Sequence, residues 1–174
     1  MPVMEYTELQ VLVLREPAKP LAQFEKEAIW LQTVYKSESP STRIRAGFEV
    51  PTFERFEGFL TTTRDVIAEG VTSSIFWAKN DILYTPSLRV GIRPTVIRQT
   101  IIQLAQIMGY NVQEDFYLKY ELEEAHECFI VNSLEEIVPI TRIGHAAFAG
   151  REGLAYERLY HAYGHEISQR LRRG

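Results

Sequence analysis

Residues 56–86 constrain the fold more than any other part of the chain. They hold four short apolar runs, FEGFLTT (56–62), DVIAEG (65–70), SSIFWAK (73–79) and ILYTP (82–86), with a pair of turn residues between each run and the next. Runs of that length, punctuated in that way, read as short strands rather than helix turns. Asn80-Asp81 is the turn of a hairpin whose return strand is ILY. This part of the chain is therefore committed to sheet.

The flanks add helices without strict alternation. LQVLVLR (9–15) reads as a buried strand, the Pro-rich REPAKPLAQF (15–24) as a linker, and EAIWLQTVY (27–35) as a strand followed by the polar loop KSESPSTR. PTVIRQTIIQLAQIM (94–108) is an amphipathic helix. Val96, Ile97, Thr100, Ile101, Leu104, Ile107 and Met108 fall on one face, Pro94 suits the first helical position, and Gly109 is the expected residue just past the end. NVQEDFYL is a strand, KYELEEA a short helix, and HECFIVN a buried strand turned by NSLEE into IVPITRI. The Gly-containing loop GHAAFAGREG then leads to a final amphipathic helix, 154–172. The pattern predicts an α+β fold: a mixed, barrel-like sheet with helices outside. Residues 1–25 are expected to form a strand and linker belonging to a preceding domain, and 26–174 the domain proper.

Bulk properties exclude several classes. At 174 residues the chain can bury roughly 70% of its unfolded surface. Its net charge of −4 advertises neither nucleic acid nor an anionic membrane, and no apolar run has the length of a membrane span. The acidic start, with Glu5 and Glu8 and no basic region, is not that of a signal peptide. Cys128 is the only cysteine, which rules out a disulfide within the chain and fits a reducing cytoplasm; its place in CFIV makes it core. His161 and His165 have i, i+4 spacing but no third ligand nearby in sequence, so no metal site is expected. Glu121, Glu123 and Glu124 read as a solvated helix face, and the basic RLRRG tail as a helix end that complements the macrodipole. Nucleotide-loop, nucleophile-elbow and zinc spacings are absent.

Glu69 draws attention because it is a lone acid between two strand-like runs. Alone it would read as a solvated turn carboxylate, since most carboxylates are exposed. The series around it changes that reading. EGVTSSIFW, LYTPSL, GIRP opening a helix, and EEAHECFIVNSLEEIVPI follow one another in an order and spacing that resemble the C-terminal domain of class IV pyridoxal-phosphate enzymes. These are the branched-chain and D-amino-acid aminotransferases and aminodeoxychorismate lyase. The FW after SSI, the YTPSL and the NSLEEIVPITRI run resemble the lyase branch most, and the likeness covers about residues 56–172.

The resemblance implies roles for named residues. Glu69 would face the pyridine nitrogen of pyridoxal phosphate (PLP) and keep it protonated, so that the ring can accept electrons. The cofactor phosphate would meet the amides of Val96 and Ile97 at the helix start, and the Asn132-Ser133 turn. The family pattern G-I-L-P-G-hydrophobic-Thr-Arg reads GIRPTVIR here, with Thr95 for the small glycine and Ile97 for threonine. The lysine to which the family attaches its cofactor should lie in 42-TRIRAGFEVP-51, where this chain has Arg45. A guanidinium stays protonated and is no amine nucleophile. Lys36 is the nearby amine and could serve only if its loop were remodelled. Phe48 is nearest to the tyrosine that braces the ring, and the helix after the lysine is shortened.

The implied activity is that of aminodeoxychorismate lyase, which eliminates pyruvate to leave p-aminobenzoate for folate synthesis, or of an amino-acid aminotransferase, with a homodimeric assembly. Arg45 and the short N-terminal part also admit an inactive remnant acting as a binding or oligomerisation module.

Overall fold

The computed structural model describes residues 25–31 and 56–173. The expected strand 9–15, the linker, the loop with Lys36 and the segment with Arg45 and Phe48 lie outside the described residues. In chain order the elements are β1 (Lys26–Leu31), β2 (Phe56–Thr61), β3 (Ile67–Gly70), β4 (Ser74–Lys79), β5 (Ile82–Pro86), α1 (Val96–Ile107), β6 (Asn111–Asp115), α2 (Lys119–Glu123), β7 (Glu127–Asn132), β8 (Glu136–Ile143), β9 (Ala146–Ala147) and α3 (Leu154–Arg173).

The strands form one mixed sheet in the order β3-β2-β1-β8-β7-β4-β5-β6, with β9 on β8, curled into a half-barrel. The tight turns at Asn80 and at Asn132–Glu136 give antiparallel pairs, β4 with β5 and β7 with β8. Asn80 takes a left-handed φ of 57°, which asparagine tolerates well in a hairpin turn. Parallel pairing needs a crossover, and α1 supplies it between β5 and β6. β1 runs parallel to both β2 and β8.

The continuous apolar runs of β4 and β7 follow from their position at the centre of the sheet, where both faces are covered. Phe76, Phe129 and Val131 pack under α1 and α3 with Ile97, Ile101, Tyr156 and Leu159. On the other face Ile75, Trp77, Cys128 and Ile130 pack with Phe59, Ile67 and Tyr117. Trp77 meets Tyr117 edge-on at 5.0 Å and stacks on Tyr84 at 6.0 Å, geometries that suit the aromatic quadrupole.

Both long helices start on defined caps. Glu127 accepts from the amides of Ala155 and Tyr156, each at 3.0 Å, so its charge sits on the positive end of α3. Gly153 is required beside it, because a Cβ there would run into that carboxylate. Thr95 caps α1 by accepting from Arg98 N–H at 3.3 Å. Pro94 is therefore outside the helix and not its first residue, because the hydroxyl of Thr95 takes the capping role one position later. Gly109 ends α1 with φ 90°, as expected.

Candidate functional site

The end of the sheet where β3 turns into β4 gathers most of the polar groups singled out in the sequence. Arg98, in the first turn of α1, donates to Pro86 O at 2.9 Å. Antiparallel pairing sets that end of β5 beside the start of β4, and Thr85 Oγ1 donates to Ile75 O at 2.8 Å. Ser74 in turn pairs with Val131, the residue before Asn132. The N-terminus of α1, the β3–β4 turn and the Asn132–Glu135 turn thus come together at one end of the molecule.

Glu69 is fully buried in β3, with 0% exposure, so it is no solvated turn acid. Its Oε2 accepts from Arg93 N–H and from Arg93 Nε, both at 3.2 Å. The same guanidinium donates through Nη2 to Gly70 O at 3.3 Å and Val71 O at 3.4 Å. A buried carboxylate needs such charge-assisted partners to offset its desolvation.

At the helix start, Val96 is 78% exposed and Ile97 is packed in the core. The first main-chain bond into the turn is Gln99 N–H to Thr95 O, so the amides of Val96 and Ile97 precede the ladder, as in any helix N-terminus. Asn132 is occupied as a turn cap: its Oδ1 accepts from Leu134 N at 3.0 Å and Glu135 N at 2.7 Å. Ser133 is exposed in that turn.

Three residues of the neighbourhood escaped the sequence reading. Ser74 Oγ is buried and has no hydrogen-bond partner among the described residues. It alternates with Phe76 along β4, so it lies on the face covered by α1. Glu57 is buried in β2 and accepts from Thr72 Oγ1 at 2.6 Å, Ser73 Oγ at 2.9 Å and Gly58 N at 2.9 Å. Burial pushes its carboxyl up, and the two hydroxyls and the Lys26 charge pull it only partly back. Lys26, with a wholly buried side chain, pairs with Glu135 through both carboxylate oxygens at 2.9 Å. A lysine opening a strand gives no local signal of burial; its acid partner is far away in sequence.

The remaining candidates have structural surroundings. His161 and His165 are exposed on α3, and His165 contacts Gln169. Among the described residues no group of three His, Cys, Asp or Glu side chains could hold a metal. Glu121 accepts from Leu118 N, Glu123 accepts from Trp30 Nε1, and Glu124 lies 3.8 Å from Lys79. No helix among the described residues is long and apolar enough to cross a membrane.

A half-barrel mixed sheet with helices outside it is the fold expected above. The chain belongs to the class IV aminotransferase family: the profile described as "Amino-transferase class IV" matches residues 10–143. It is 33% identical over 136 residues to aminodeoxychorismate lyase of Bacillus subtilis (strain 168), covering 78% of this chain and 46% of that one. It is 30% identical to D-alanine aminotransferase of Bacillus licheniformis, covering 66% and 40% respectively. The fold matches the branched-chain amino acid aminotransferase of Thermobaculum terrenum in PLP-form with a TM-score of 0.77 at 23% identity, over 88% of this chain and 55% of that one. The Escherichia coli branched-chain enzyme gives 0.72 at 22%, over 83% and 52%. The chain spans about half the length of these relatives or less at 46% and 40% of the two curated ones.

Proposed function

We propose that this chain carries the cofactor half of an aminodeoxychorismate-lyase-like protein and binds PLP chiefly by its phosphate. The observation that carries this reading is the unpartnered buried hydroxyl of Ser74, on the face of β4 covered by α1. A dianionic phosphate is what exposed first-turn amides and a spare hydroxyl accommodate. The similarity to the lyase over 78% of the chain supports an aminodeoxychorismate-type substrate, and the fold neighbour in PLP-form supports the cofactor.

Bound PLP supplies an electron-accepting ring. For the chain's own part, the amides of Val96 and Ile97 and the hydroxyls of Ser74 and Ser133 bind the phosphate, and Glu69 marks the ring end. The packed sheet beneath, with Phe76 and Phe129 at 0% exposure, keeps water from entering from below. Arg45 aligns with the family's lysine in the resemblance drawn above, so binding is noncovalent and elimination of pyruvate is not carried out by this chain alone. Its role is then that of a binding module, with a homodimer in a reducing cytoplasm as the setting.

The test is the absorbance of purified protein with PLP, before and after borohydride, followed by peptide mass analysis. Saturable binding without a reduced adduct is expected. An adduct on Lys36 or another lysine overturns the noncovalent reading. Absence of any binding overturns the cofactor assignment.

A further inference from the structure

Glu69 and Ser74, placed above at the ring and phosphate ends of the site, are joined by the short turn Gly70–Ser73. Gly70 N–H donates to Ser73 O at 2.9 Å and Ser73 N–H returns to Gly70 O at 3.4 Å, so Val71 and Thr72 form a two-residue loop. No residue of the turn has a positive φ. The two-residue loops that match strand twist require one, so this turn splays its strands. Among the described residues β3 pairs with β2, and β4 with β5 and β7, but β3 and β4 share no ladder. Ser74 is held opposite Val131, whereas Glu69 sits in an edge strand of four residues with an irregular register on β2. The separation of the two ends is therefore set by what grips the turn from outside.

Arg93 grips its backbone, donating to Gly70 O and Val71 O. Glu57 grips its side chains. Glu57 Oε1 accepts from Gly58 N–H, and Oε2 accepts from Thr72 Oγ1 at 2.6 Å and Ser73 Oγ at 2.9 Å. One oxygen thus anchors the carboxylate to its own strand while the other holds both hydroxyls of the turn. Gly70 is pressed against the same group, since a Cβ there would lie 3.1 Å from Oε2. Charge-assisted bonds to a fully buried carboxylate are strong and fix geometry. We propose that Glu57 is a positioning residue that sets the distance between Glu69 and Ser74. The inference rests on the cofactor reading given above. A ligand that spans two anchors gains from the second only when their spacing fits it. PLP spans both ends and depends on Glu57; inorganic phosphate meets one end and does not.

Thr72→Val removes the shorter hydroxyl bond at an exposed position, and Thr72→Ser keeps it. Glu57→Gln keeps the shape of the side chain but has one acceptor oxygen where Glu57 uses both of its own. Wild type and variants are titrated with PLP by protein fluorescence, and with inorganic phosphate as a competitor. T72V and E57Q are expected to bind PLP about tenfold more weakly, the equivalent of one charge-assisted contact. T72S is expected to match wild type, and phosphate affinity to be the same in all. The double variant T72V/E57Q is expected to lose no more than E57Q, because both changes break the same link. T72V carries the test should E57Q not fold. Wild-type PLP affinity in T72V, equal losses of PLP and phosphate affinity, or losses that add in the double variant overturn the inference while leaving the cofactor reading intact. PLP binding to neither wild type nor variants overturns both.

Discussion

Replacing Glu135 by glutamine is expected to destabilise the protein more than replacing Lys26 by methionine, although both changes break the same ion pair. The Lys26 side chain has no exposure, while that of Glu135 keeps 18%. Glu135→Gln takes one carboxylate away from an ammonium buried in the sheet, and the cost is about 3 kcal/mol, the lower end for breaking a buried pair. Lys26→Met removes the buried charge itself and fills its stem volume with an unbranched apolar chain. The orphaned Glu135 can turn toward water, so this change costs about 1 kcal/mol. The double variant is expected to match Lys26→Met, with a coupling of about 3 kcal/mol. Urea denaturation at pH 7 on the two single variants and the double reads these differences. The reasoning is refuted if Lys26→Met costs as much as Glu135→Gln, or if the two effects add.

Glu57→Gln tests the raised carboxyl in β2. A carboxyl whose pKa is raised on folding contributes stability that is fully present below the unfolded value of 4.5 and is lost as pH rises through the folded value. The variant should therefore gain relative to wild type as pH climbs from 4 toward neutrality in denaturation series, and a constant difference would count against the assignment. Gly70→Ala sets a Cβ against Ser73 Oγ and 3.1 Å from Glu57 Oε2, and overpacking of that kind should cost about 2 kcal/mol by thermal denaturation. Cys128 is 2% exposed, and burial holds its thiol well above the usual range, so a thiol reagent should label it only as fast as the protein unfolds. Leu159→Ala, at a fully buried position of α3, should cost about 3 kcal/mol in the same denaturation assay.

Element existence was legible because it depends on local pattern. The helix expected over 94–108 is α1 at Val96–Ile107, and the one expected over 154–172 is α3 at Leu154–Arg173. The strands expected at 73–79 and in HECFIVN are β4 and β7. The start of α1 was misjudged by two residues, because proline's fixed φ and threonine's capping hydroxyl compete for the same boundary and the hydroxyl prevailed.

The site divides along a different line. Glu69 and the helix start were singled out as site candidates from a series of short motifs, since strand, turn and helix signals survive in sequence order. What the tertiary structure decided is which groups meet. Arg93 lies 24 residues from Glu69, and Lys26 lies 109 residues from Glu135. Burial of each charge is set by strands that pair from distant parts of the chain. Periodicity determines the elements; only the assembled sheet determines that a buried acid keeps an arginine as its partner and that a serine hydroxyl is left without one among the described residues.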